Sequence, residues 1–193
     1  MFSIFKRKPA APQPPPTSEV RPADFVARLK AFLTANRFHY RDADLAPAAI
    51  EQYRVGLLFR ERTLCDATYK FGGLAGTTRF LVISAQAMNV DAMSSHPEWG
   101  LCLLPANALF KVIDIHREGG KSQITVLHVP ADFEPFFRSD EAQRFESLLV
   151  PQTRQDFADA LRQAPLSELM TSDWRERTAW PLGTDNEGRL VAG

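Results

Sequence analysis

Four residues on one segment carry side chains from which acid–base chemistry is built. Residues 109–117 and 122–129 alternate in polarity and flank Gly119-Gly120, which predicts a β-hairpin with a two-residue loop. In that register Arg117 faces Ser122, His116 faces Gln123, Asp114 faces Thr125 and Val112 faces Leu127. Alternation then gathers Asp114, His116, Gln123 and Thr125 on one face, continuous with Phe110 and Val112 deeper along the hairpin. An aspartate two residues from a histidine can hold one imidazole tautomer and raise its basicity, as a general base or an anion-binding histidine requires. Asp114 and His116 are therefore candidate catalytic residues, and Gln123 and Thr125 candidate ligand-binding residues. The competing reading is a hairpin tip that is polar because it stands in water.

A second candidate is the glycine-rich stretch at 72–76, followed by Thr77, Thr78 and Arg79. Its backbone N–H groups and the Arg79 guanidinium suit an anion, which makes Arg79 a candidate ligand-binding residue. It is not a phosphate loop, because an extended TTRFLVIS run follows where such a loop would need a lysine and a helix. Otherwise the glycines make a flexible connection. Asp91, Ser94, Ser95, His96 and Glu98 share a polar loop, but their spacing matches no zinc or calcium pattern, so neither a metal nor any other cofactor is expected. Trp174 and Trp180, with Arg175 and Arg177 between them, combine the residue types enriched in binding hot spots, so these four form a candidate partner-binding surface. Docking of a last helix onto the sheet accounts for the tryptophans equally well.

These residues need elements to hold them. Phe25, Leu29, Phe32 and Leu33 recur with helical period up to about Asn36, and a short helix is expected over 47–53 behind Pro47. His39 is placed at the helix end. Strand-like alternation covers about 55–59 and 65–71, resumes at 77–84, and returns as an apolar run at 99–104 before the hairpin. Helical period reappears after Pro130, with Asp140 and Gln143 as a capping pair, Thr153 and Asp156 as a second, and a last helix over about 166–174. The expected fold is α+β: a largely antiparallel sheet of five or six strands, about residues 54–129, flanked by N-terminal and C-terminal helices.

Three parts are expected along the chain: a disordered Pro-rich tether at 1–20, one domain at 21–182 and a flexible tail at 183–193. Phe2, Ile4, Phe5, Lys6, Arg7 and Lys8 could touch an anionic membrane, although eight residues bury too little area to anchor a chain. No apolar run approaches the roughly 20 residues that span a bilayer, and the apolar-then-basic start reverses a secretory signal. Cys65 and Cys102 sit in apolar runs and read as reduced core residues. A bacterial, cytoplasmic protein is expected. The 23 basic residues balance 23 acidic ones, which argues against specific nucleic-acid binding.

The segment WGLCLLPANALFKVIDIH, followed by SQITVLHV, resembles the C-terminal half of mono-ADP-ribosyltransferase domains, where a strand bearing the catalytic glutamate leads through an apolar-Pro step into a hairpin. The resemblance covers about a quarter of the chain and implies NAD binding. It departs from the family pattern at Leu101, where the glutamate would stand, and at Ile83-Ser84-Ala85, which replaces a Ser-Thr-Ser element. The leading expectation is a non-enzymatic protein-binding module, of the accessory, adaptor or toxin-neutralising kind, with an unidentified protein as its partner. The alternative is a small-ligand-binding or enzymatic domain, nucleotide- or NAD-binding, that uses the polar sheet face.

Overall fold

The computed structural model describes residues 22–193. The expected tether and the expected membrane-contact residues Phe2, Ile4, Phe5, Lys6, Arg7 and Lys8 lie outside the described residues. In chain order the elements are α1 (Pro22–Ala35), β1 (Arg37–Ala43), α2 (Pro47–Ile50), β2 (Leu58–Glu61), β3 (Cys65–Thr68), β4 (Thr78–Ser84), β5 (Met88–Asn89), β6 (Leu101–Leu104), β7 (Ala108–Glu118), β8 (Lys121–His128), α3 (Glu134–Phe137), α4 (Asp140–Glu146), α5 (Val150–Leu161) and α6 (Ser172–Thr178). The fold is α+β, as the pattern of periods predicts.

The sheet is larger than expected, with eight strands in the order β2-β7-β8-β4-β1-β3-β6-β5. Every pairing is antiparallel except β4 with β8. The additional strands are β1 and the two-residue β5. β1 (RFHYRDA) is a central strand paired with β4 along its whole length, yet its inward-turned Arg41 and Asp42 give it the polarity of a loop. His39 therefore lies within a strand and is buried, instead of ending a helix.

Both faces of the sheet are covered. On one, Phe59, Phe80, Val82, Phe110, Val112, Ile124 and Val126 form a core closed by Ile50 of α2 and by Tyr53 and Leu182. On the other, Leu81, Ile83, Leu109, Ile113 and Leu127 pack under Phe32 of α1, Phe133, Phe137 of α3 and Ala142 of α4. The predicted stripe of α1 meets this second core, with Phe25, Leu29 and Leu33 packed beside Phe32. Burying each such phenylalanine removes apolar surface from water and contributes about 2 kcal/mol. A buried ion pair crosses the same layer, where Lys111 Nζ donates to Glu146 Oε1 at 2.7 Å and to the carbonyl of Phe137 at 2.7 Å.

Gly119 and Gly120 both have positive φ, 57° and 75°, as a two-residue hairpin loop requires, and the predicted pairs Arg117↔Ser122, His116↔Gln123 and Asp114↔Thr125 form. A bulge between Val112 and Asp114 then shifts the ladder, so Val112 faces Val126 and not Leu127. One extra residue reverses the facing of all that follows. Phe110 and Val112 consequently line the first core, and the polar four continue onto the opposite face.

The C-terminal residues 183–193, expected as a flexible tail, make backbone contacts with β2. Arg60 N–H donates to the carbonyl of Val191 at 3.0 Å, Gly193 N–H to that of Leu58 at 3.3 Å, and Ala192 bridges Phe59. The edge of β2 is covered by its own chain. Cys65 and Cys102 are free and buried, and burial pushes their thiols up to about 12 and about 11.

Candidate functional site

The polar face of the β7–β8 hairpin is occupied by α5. Arg154 grips Asp114 with both arms, Nε to Oδ2 at 2.9 Å and Nη2 to Oδ1 at 2.7 Å. Gln123 Nε2 donates to the carbonyl of Thr153 at 2.9 Å, and Thr125 has no exposed surface. The His116 ring sits edge-on to Phe157 of α5 with centroids 5.8 Å apart, and its Nε2 lies 3.5 Å from Glu118. The pairing that would make His116 a base is thus absent, because Asp114 spends its carboxylate on Arg154. Asp114, His116 and Gln123 dock a helix, and Thr125 is buried beside Gln123.

Arg79 is likewise committed. It holds Asp42 through Nε at 2.7 Å and Nη2 at 2.8 Å, and it donates to the carbonyls of Gly72 at 3.0 Å and Gly73 at 3.2 Å. Its guanidinium also lies over the Tyr40 ring, and only 3% of the residue is exposed. Arg79 shapes the glycine-rich loop from within, which leaves its guanidinium no open face for a free anion. Gly73 could not carry a side chain, since a Cβ there would stand 2.2 Å from the carbonyl oxygen of Gln163.

The tryptophan–arginine cluster divides. Trp174 is buried in a core with Val90, Trp99, Leu101 and Leu169, while Trp180 is 62% exposed. Arg175 pairs with Asp44, and Arg177 pairs with Asp66 at 3.1 Å and lies over the Trp99 ring. Of the four, only Trp174 is buried; Arg175, Arg177 and Trp180 are exposed, the two arginines in ion pairs with Asp44 and Asp66. Leu101 belongs to that core, so the position where the resembled family carries its glutamate is apolar and covered. The loop before it folds back on the same core, with the His96 ring stacked on Trp99 at 4.1 Å.

Trp180 stands instead at the rim of a cleft of about 740 Å³, between the β2–β3 connection and the C-terminal segment. Two buried charged residues line it, Arg41 at 6% exposure and Glu61 at 9%. Arg41 donates to the carbonyls of Asp66 at 2.9 Å and Trp180 at 3.0 Å, and its Nε has no partner among the described residues. Glu61 accepts the N–H and hydroxyl of Thr63 and the N–H of Gly183, at 3.1, 2.8 and 2.8 Å. Neither belongs to an ion pair among the described residues, whereas the other carboxylates of the cleft do: Asp66 with Arg177, and Asp185 and Glu187 with Arg189. A buried guanidinium without a counter-ion is costly to maintain and is a ready receptor for an anion.

This cleft was not legible in the sequence, because Arg41 sits in the unpredicted β1 and the far wall is the segment expected to be free. The available signal was the alternation of Phe38 and Tyr40 with His39 and Arg41, which carries strand period through a charged stretch. Among the described residues no group of three or more His, Cys, Asp or Glu side chains is placed to hold a metal ion.

No known protein family matches the sequence, and no curated protein does. Solved structures similar to parts of the chain include the type III effector XopAI from Xanthomonas axonopodis pv. citri, 16% identical over 49% of this chain and 44% of that one, with a TM-score of 0.44. The ADP-ribosyltransferase HopU1 of Pseudomonas syringae is 15% identical over 49% of this chain and 45% of its own, also at 0.44. An ADP-ribosyltransferase from Clostridium botulinum is 18% identical over 55% of this chain and 71% of its own, at 0.39. The matched part thus spans less than half the length of the first two. The expectation of a non-enzymatic protein-binding module is corrected: Trp174 lies in a core, and Arg175 and Arg177 are ion-paired, so three of the four residues that carried the expectation are engaged within the molecule.

Proposed function

We propose that the Arg41 cleft binds a small ligand of the nucleotide class, NAD among them, with a phosphate on Arg41 and a planar ring against Trp180. The observation that carries this reading is the buried guanidinium with no carboxylate partner and an unpaired Nε, joined through the Trp180 carbonyl to the exposed ring at the rim. A charge-assisted hydrogen bond to phosphate offsets the cost of burying Arg41, and the indole face supplies stacking. Glu61 gives the same cleft a fixed carboxylate, the group that stabilises positive charge developing on a bound sugar.

Titration calorimetry of the full chain with NAD, ADP and pyrophosphate tests this. Arg41→Met should weaken all three by roughly tenfold to a hundredfold. Trp180→Ala changes an exposed side chain, so it should spare the fold and pyrophosphate binding while weakening ADP and NAD. If none of the three binds the unaltered chain at millimolar concentration, the reading fails.

A further inference from the structure

A second cleft, of about 440 Å³, opens where the parallel strands β4 and β8 begin, between α2 and the β7–β8 turn. Its lining combines three kinds of group. Leu45, ahead of α2, and Ile50, its last residue, provide an apolar wall, and both belong to the first core. Thr77, Thr78 and Ser122 bring hydroxyls together, since Ser122 is the register partner of Thr78. The Thr77 hydroxyl accepts the Leu45 N–H at 3.2 Å, which leaves its own proton to donate, and the Thr78 hydroxyl is buried with no partner among the described residues. The third kind is charge. Arg117 and Glu51 both line the cleft, both are exposed, and neither forms an ion pair with the other or with any described residue.

Opposite charges that share a cleft, do not meet, and flank hydroxyls and an apolar wall fit a ligand carrying both charges at once. We infer that this cleft is a binding site for a free α-amino acid with an apolar side chain. The carboxylate goes to Arg117 with the hydroxyls of Thr77 and Ser122, the ammonium to Glu51, and the side chain to Leu45 and Ile50. An anion alone would meet Glu51 unfavourably, and an amine alone would meet Arg117 so. The zwitterion satisfies both groups. This site shares no lining residue with the Arg41 cleft and stands or falls independently of it.

Calorimetry of the full chain with L-leucine, leucinamide and 4-methylpentanoate separates the contributions, because the last two lack the carboxylate and the ammonium respectively. Leucine should bind with Kd below about 1 mM, and either analogue should bind at least roughly tenfold more weakly. Arg117→Ala and Glu51→Ala, both at exposed positions, should each cause a loss of the same order with an unchanged melting temperature, and Arg41→Met should not affect leucine. No heat with leucine overturns the inference. It is also overturned if 4-methylpentanoate or leucinamide binds as well as leucine, since the cleft would then recognise one charge only.

Discussion

Burial is the leading cause of the shifted acid–base behaviour of the buried histidines and cysteines. His128 is 3% exposed, its Nδ1 lies 2.9 Å from Ser84 Oγ, and burial pushes its imidazole down from 6.5 to about 4. In the unfolded chain this ring takes up a proton as pH falls through about 6.5, and in the folded chain only near 4. Between those values the unfolded state binds more protons, so stability is complete above about pH 6.5, declines as pH drops, and levels off below about 4. The loss from His128 should total about 3 kcal/mol. His39 is shifted downward by burial too and adds with the same sign. Urea unfolding followed from pH 7 to pH 4 should show this decline, and His128→Gln should flatten most of it. An unchanged slope in that variant would place the acid sensitivity elsewhere.

Elements are held to the sheet by a few polar contacts whose partners come from distant parts of the sequence. Lys111 and Glu146 lie 35 residues apart and are both buried, so their pairing fixes α4 over β7. Removing one partner leaves an uncompensated buried charge. Lys111→Met should therefore cost about 3 kcal/mol or more, and adding Glu146→Met should recover much of that loss. If denaturant unfolding shows the two losses simply adding, the pair is not coupled. The same logic explains what the sequence withholds. Hairpin, glycine turn and core-facing stripe of α1 are legible because each rests on local period and turn chemistry. The role of Asp114 and Gln123 is not, because their partners Arg154 and Thr153 arrive on a helix some thirty to forty residues later. A polar face reads identically whether water or a helix covers it. The bulge after Val112 is equally silent, since β-branched and aliphatic neighbours suit either register. β1 is missed for the opposite reason: its charges look solvent-facing until Arg79, itself buried, claims Asp42.

The C-terminal segment does for the whole molecule what an extra strand would do. It covers the edge of β2, lays Leu190 against the first core, and forms one wall of the Arg41 cleft. Its entry is fixed at Gly183, where φ is +76° and the N–H is held by Glu61 at 2.8 Å. A Cβ at that position would stand 2.1 Å from Phe59 Cδ2, and Phe59 is fully buried and cannot retreat. Gly183→Ala should accordingly destabilise the fold by about 2 kcal/mol or more, from left-handed backbone strain together with the clash. Deleting residues 183–193 should lower the melting temperature as well, because Leu190 and the backbone of β2 lose their cover. Both changes should weaken nucleotide binding together with stability, since Glu61 loses its Gly183 donor when the segment shifts or is removed. Gly188→Ala provides the comparison: its φ is also +76°, but no atom lies within 4 Å of the added Cβ, so only the backbone strain remains. A Gly183→Ala protein no less stable than Gly188→Ala would mean that the segment is not seated on Phe59, and the cleft wall it builds would go with it.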